Sequence, residues 1–187
     1  MKRYTIVEYT HDFLRNWLRE GGLFIDATVG NGHDTEFLCQ GVGNTGKVIG
    51  FDIQKTAIEN TRKKLEEAHV AQRCKLVLDG HQNLMQYVEK ETVDGIMFNF
   101  GYLPGGDHAL MTRAKTSIEA IEKGLEALKP GGIISLCIYS GQDTGFEEKH
   151  AILEYLKGVD QRKYVIIKSE FYNRPNNPPI PVFIIKQ

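Results

Sequence analysis

The residues best suited to chemistry fall into four groups, each at the end of an apolar run. Asp26 closes Leu23-Phe24-Ile25 and leads into Ala27-Thr28-Val29-Gly30-Asn31-Gly32-His33-Asp34. Asp52, with Gln54 just beyond it, closes Val48-Ile49-Gly50-Phe51. Asp79-Gly80-His81 follows the run from Cys74 to Leu78, and Asn99-Phe100-Gly101-Tyr102-Leu103-Pro104-Gly105-Gly106-Asp107-His108 follows Val93 to Phe98. Gly30 and Gly32 lack a Cβ, so the main chain can turn sharply and a ligand can approach it. A helix starting at such a turn offers its first amides, which have no partner inside the helix, to polar ligand groups. Strand, glycine turn, helix, strand and acid together form the grammar of a nucleotide-binding βαβ unit, with Asp52 placed to accept the ribose hydroxyls of an adenosine.

The residues also discriminate between adenosine cofactors. A dinucleotide fingerprint needs a third glycine for close helix packing, and here that place is taken by Thr35. Asp26, just before the turn, would repel a pyrophosphate. S-adenosylmethionine has no phosphate and carries a sulfonium and an ammonium, so it gains from a carboxylate. Asp26, the turn and Asp52 therefore favour S-adenosylmethionine over a nicotinamide dinucleotide. A tight strand–helix turn that binds nothing is the plain alternative.

The remaining elements must position these groups. Residues 9 to 20 read as an amphipathic helix carrying Phe13, Leu14, Trp17 and Leu18, stopped by Gly21-Gly22 and covering one flank of a sheet. Strands are expected at Lys47 to Asp52, Cys74 to Leu78, Val93 to Phe98, Ile133 to Ile138, Tyr164 to Lys168 and Val182 to Lys186, besides Leu23 to Asp26. Between them lie helical patterns at Lys55 to Ala68, Leu110 to Leu128 (ended by Pro130-Gly131-Gly132) and Phe146 to Leu156. His81 either starts a short helix through Leu84 and Tyr87 or, with Asp79 and Gly80, meets an adenine edge. No helix fits between the last two strands, so they should pair as an antiparallel hairpin. The expected fold is α/β: a single domain over 1–187, with a seven-stranded, mostly parallel sheet and helices on both faces.

Composition removes other classes. The chain has 187 residues, 41% hydrophobic and 25% charged, with a net charge of −1, so any polyanion must be held by a local patch. Three scattered cysteines suit a reducing compartment and show no metal-ligand spacing. No signal peptide and no membrane-spanning run is evident, which implies a cytoplasmic protein without a metal.

The layout resembles the Rossmann-like S-adenosylmethionine-dependent methyltransferases over nearly the whole chain. Asp26 to Gly32 matches their first motif, Asp52 their ribose-binding acid, and Asn99-Phe100-Gly101-Tyr102 occupies their catalytic loop. More narrowly, Asp26 to Asp34, the Asn99-to-His108 loop and Asn173-Arg174-Pro175-Asn176-Asn177-Pro178-Pro179 are similar to a small bacterial family formerly labelled rRNA methylases. Its activity is that of a tRNA 5-aminomethyl-2-thiouridine methyltransferase. The resemblance implies N-methylation of an aminomethyl group on the wobble uridine, with the tRNA anticodon stem-loop as partner. It also implies a cofactor site drawn from Asp26, Thr28, Gly30, Asn31, Gly32, Asp34, Asp52, Gln54, Asp79, Gly80 and His81. Where methyltransferases of adenine amines carry Asn/Asp-Pro-Pro-aromatic, Phe100 and Gly101 replace both prolines, which favours an alkyl amine.

Such an amine is mostly protonated at neutral pH, so the site must desolvate it or supply a proton acceptor. Asn99 is the candidate orienter, Asp107 or His108 the candidate base, and Tyr102 or Phe100 the candidate stacking surface for a base. Packing against the hairpin is the equal alternative for both aromatics. Arg113, Lys115, Arg174 and Asn176 are candidates for the RNA, and Asn173 to Pro179 for a lid. A homodimer fits the small surface that one such domain offers to tRNA. Methylation of rRNA or of a small molecule, and a silent cofactor-binding module, remain as other readings.

Overall fold

Four of the strand runs are apolar at nearly every position, and the reason is that both faces of the sheet are covered. Adjacent residues of a strand point to opposite faces. Phe24 packs among Leu14, Leu38, Val42, Val48 and Leu65 on one side, while Ile25 packs among Phe51, Ile96, Phe98, Ile121 and Leu136 on the other. The computed structural model describes residues 4–100, 114–139 and 144–187. Its elements are α1 (Ile6–Leu14), β1 (Leu23–Asp26), α2 (His33–Gly41), β2 (Lys47–Asp52), α3 (Lys55–Glu67), β3 (Cys74–Leu78), β4 (Val93–Phe100), α4 (Ala114–Ala127), β5 (Leu128–Ile138), α5 (Thr144–Lys157), β6 (Tyr164–Lys168) and β7 (Ile180–Lys186). Short 3-10 turns occupy Ala71–Arg73 and His81–Gln86.

The strands form one seven-stranded sheet in the order β3-β2-β1-β4-β5-β7-β6. Its first five strands are parallel, and β7 runs antiparallel to both β5 and β6, the expected terminal hairpin. The order reverses direction between β1 and β4, the switch point where open α/β sheets open a crevice. Asp26, Asp52, Leu78 and Phe100 all end strands at that edge. The pairing of Ile138 with Ile180 brings the start of β7, and so the 169–179 connection, to the same edge.

Several boundaries differ from the sequence reading; β7, for one, starts at Ile180 rather than Val182. α1 starts at Ile6 rather than near residue 9, because Thr5 and Glu8 form a reciprocal capping box that satisfies the first free amides. It ends at Leu14, and beyond it the Trp17 indole N–H donates to the Gly131 carbonyl at 3.0 Å. Leu128 belongs to β5 rather than to α4: it pairs with Val93, and the register then jumps to Gly95 with Ile133. The Pro130-Gly131-Gly132 breaker therefore sits inside an interrupted strand, with Gly131 at φ +76. β4 runs on to Phe100, which carries Asn99 into the sheet's edge.

Close packing fixes β4 against β1. A Cβ on Gly95 would lie 2.4 Å from the ring of Phe24, itself fully buried. Gly95→Ala should destabilise the fold by about 1–3 kcal/mol, the usual cost of overpacking. Urea unfolding of the two proteins checks this, and equal midpoints would contradict it.

Candidate active site

The glycine turn is built around two carboxylates that face opposite ways. Asp26 is fully buried beneath it. Its Oδ1 accepts from the Thr28 amide at 3.1 Å and its Oδ2 from the Thr35 hydroxyl at 2.6 Å. Burial, and then the charge of Asp34, push its carboxyl up to about 7. Asp26 therefore braces the turn from within and presents no surface to a ligand, which corrects its reading as a direct contact. Thr35, read as a failed third glycine, is the residue that holds it.

Asp52 is on the crevice side. Its Oδ2 accepts from the Gly30 amide and its Oδ1 from the Gln54 amide, both at 2.9 Å. The half-buried carboxylate is thus tied across from β2 to the turn after β1. Each oxygen retains acceptor capacity, so two hydroxyls of a sugar still match it. Gly30 and Gly32 take φ +53 and +76, a region costly for other residues. Gly32 has a second reason to be glycine: a Cβ there would lie 2.7 Å from the Thr61 hydroxyl of α3. Its small size serves helix packing rather than ligand approach. Asn31 is half-buried at the turn's tip.

At the neighbouring strand end, Asp79 is half-exposed and its carboxylate is engaged locally. Its carboxylate accepts from the Gly80 amide (2.7 Å), the Asn83 side chain (2.8 Å) and the Tyr87 hydroxyl (3.0 Å). The Asn83 bond above all holds its carboxyl below the usual carboxylate range. His81 starts the 3-10 turn with its ring buried, and its Nδ1 lies 3.1 Å from the Ala27 carbonyl, so that nitrogen carries the hydrogen. Burial lowers its pKa. His81 thus starts the short helix, and Asp79 remains half-exposed at the strand end beside it. Two apolar side chains are also exposed here: Ile53, just past the end of β2, and Leu78, which pairs with Asp52, are 54% and 55% accessible.

Asn99 closes the arrangement. Its backbone amide donates to the Thr28 hydroxyl at 2.7 Å, and its side-chain Nδ2 donates to Asp34 Oδ2 at 2.6 Å. The other oxygen of Asp34 lies 2.6 Å from His11 Nε2. Asp34 is thus held between α1, α2 and β4. His11 was not anticipated, since a histidine in a flank-covering helix carries no local signal. Only the packing of α1 on α2 brings it to Asp34. The same charge, after burial, helps push the Cys137 thiol up to about 12.

The stacking role expected for Phe100 is not available to it. Its ring is fully buried, stacked on Phe98 with centroids 5.2 Å apart. Arg174 donates to the Tyr4 carbonyl and its guanidinium sits 4.5 Å over the Phe171 ring, so it anchors the 169–179 connection. Tyr9 of α1 adds a bond to Ser169 at 2.8 Å. Asn176 is exposed with φ +65, and Tyr172 beside it is 92% accessible. Tyr102, Asp107, His108 and Arg113 lie outside the described residues. Among the described residues no group of His, Cys, Asp and Glu could hold a metal, and no helix is long and apolar enough to cross a membrane.

The same architecture recurs in solved structures. A "putative rRNA-methylase" from Clostridium thermocellum superposes with a TM-score of 0.95 at 48% identity, with each chain covered completely. A Streptococcus mutans methyltransferase in complex with S-adenosylhomocysteine gives 0.88 at 37% identity, covering 100% of this chain and 99% of that one. Fold and site together define a Rossmann-like S-adenosylmethionine-dependent methyltransferase. More specifically, residues 48–185 match the family model described as "Putative rRNA methylase", and the chain belongs to that family. It is also 34% identical, over 99% of its length and 70% of the relative's, to the chloroplastic tRNA (mnm(5)s(2)U34)-methyltransferase of Arabidopsis thaliana.

Thr35→Val removes the only side-chain donor to Asp26 among the described residues, so it should cost about 1–3 kcal/mol of stability. The folded state of the parent keeps a proton on Asp26 that the unfolded chain releases, and loss of the donor raises that folded pKa further. Both folded proteins hold that proton at about pH 5, so the deficit of the variant should begin to widen only as the pH rises through about 7 toward about pH 8. Denaturation across that range measures it; a deficit that shrinks with rising pH would contradict the assignment.

Proposed function

We propose that this single-domain chain N-methylates the 5-aminomethyl group of (2-thio)uridine at the wobble position of tRNA. The observation that carries the reading is Asn99 at the end of β4, pinned by Thr28 and Asp34 beside the glycine turn. The plant relative named for this tRNA reaction supports the substrate.

The residues fit the cofactor. Asp34 and Asp52 lie around the turn with Asp26 beneath it, a setting that favours a cation and disfavours a phosphate. In this reading Asp52 accepts the ribose hydroxyls, Ile53 and Leu78 flank the adenine, and the main chain from Thr28 to Gly32 borders the sulfur end. Gln54 and the main chain at Gly80 and His81 border the sugar and base. Bound S-adenosylmethionine supplies an electrophilic methyl group on a sulfonium.

The protein's task is then positioning, with nitrogen and methyl carbon held about 3 Å apart. Asn99 accepts an N–H of the substrate amine through its side-chain oxygen, which aims the nitrogen lone pair. The amine must first lose a proton, and desolvation together with Asp107 or His108 favours that loss. Tyr102 stacks on the uridine, and Arg113 meets a phosphate. The exposed Asn176 and Tyr172 belong to a connection that closes over the substrate.

Asp52→Ala should abolish cofactor binding in calorimetry, and unchanged affinity would overturn the cofactor site. Asn99→Ala should lose about 10²-fold or more in turnover while binding the cofactor normally, as removal of one oriented polar contact does elsewhere. For the substrate, mass spectrometry of tRNA nucleosides from cells lacking the protein should show unmethylated aminomethyl uridine accumulating. An unchanged nucleoside profile would sink the tRNA reading. Nuclease digestion of the tRNA before an assay separates this reading from a small-molecule one, since only an RNA enzyme loses its substrate.

A further inference from the structure

Asn99 is useful only if its amide points the right way round. Its two ends have nearly the same shape, so packing alone sets the orientation poorly. A carboxylate can only accept, so the end of Asn99 that lies 2.6 Å from Asp34 Oδ2 is its NH₂. The carbonyl oxygen is thereby turned away from Asp34. Thr28 fixes the backbone of the same residue, and Asp34 is 9% exposed, so water competes little for these bonds.

Asp34 in turn is held by α1. His11 Nε2 lies 2.6 Å from its Oδ1, the imidazole is stacked flat on Phe37 (3.8 Å between centroids, 2° between planes), and the Arg15 guanidinium lies 5.5 Å from the same Phe37 ring. With Oδ1 accepting from His11, Oδ2 is left for Asn99. Three residues from three elements form a chain that ends in one amide.

We propose that Asp34 and His11 are positioning residues that lock the Asn99 amide with its carbonyl oxygen facing the substrate amine. This rests on the methyl-transfer reading and deepens it. A reversed amide would present N–H groups to an amine whose own N–H needs an acceptor, and the lone pair would lose its aim. Asp34 thus acts through Asn99 and not as a cofactor ligand.

The test exploits the near-equal shape of Asp and Asn. In Asp34→Asn the new oxygen serves His11 and the new NH₂ faces Asn99, which must turn its carbonyl inward and its NH₂ outward. Turnover at saturating cofactor should fall by about 10²-fold, while S-adenosylhomocysteine affinity in calorimetry falls by no more than about tenfold, the effect of losing one nearby charge. The double variant Asp34→Asn/Asn99→Asp restores an acceptor facing the amine, and should recover at least about tenfold of that loss. A merely structural Asp34 predicts no such recovery. His11→Gln, whose NH₂ can replace the imidazole donor, should keep more turnover than His11→Ala. If Asp34→Asn does not fold, this His11 pair decides the matter.

The Asn99 side-chain amide resonances provide a readout without any substrate, and Asp34→Asn should shift them. Undiminished turnover in Asp34→Asn, a double variant no better than the single one, equal His11 variants or unmoved Asn99 resonances would each overturn the proposal. Failure of the unmodified protein to methylate tRNA carrying aminomethyl uridine would instead overturn the function reading, with the amide resonances still testing the orientation.

Discussion

The bond from the Gly30 amide to the Asp52 carboxylate is the constraint on which the crevice depends. It joins the turn after β1 to the end of β2, and the Gln54 amide holds the other carboxylate oxygen. The Thr61 hydroxyl donates to the Gly30 carbonyl at 3.2 Å, so the same residue is held from α3 as well. A glycine at φ +53 is needed for this path, and the bonds on both sides hold it there. The sheet order supplies the gap, and this small lattice of bonds supplies its floor.

Charge gives that floor its selectivity. Asp26, Asp34 and Asp52 gather at one turn, yet each is satisfied by different donors: Thr28 and Thr35, His11 and Asn99, Gly30 and Gln54. The buried one is pushed up to about 7, which shows how strongly desolvation and the Asp34 charge act on it. A ligand bearing positive charge relieves that repulsion, and a diphosphate adds to it. The preference for S-adenosylmethionine thus has an electrostatic cause.

Much of the fold was legible because its signals are local. The runs of β2, β3 and β6 have the limits expected of them, since each mostly apolar run stops where the chain leaves the sheet. α1 was misplaced because helical periodicity spoke for residues 9 to 20, while the Thr5–Glu8 box, a terminal signal, governs where the helix begins. Leu128 kept helical spacing and was still drawn into β5 by its pairing with Val93. The site was legible in a different way. The glycines and Asp52 announce a ligand through backbone geometry, whereas sequence cannot say that Asp26 faces inward, that Phe100 is core, or that His11 meets Asp34. Those outcomes depend on how helices seat on the sheet.

A crystal structure with S-adenosylhomocysteine tests the central claim most directly. The account predicts both ribose hydroxyls within hydrogen-bonding distance of the Asp52 carboxylate, with its bond to the Gly30 amide retained and the adenine between Ile53 and Leu78. A ligand seated elsewhere, or an Asp52 side chain turned out of the crevice, would contradict it.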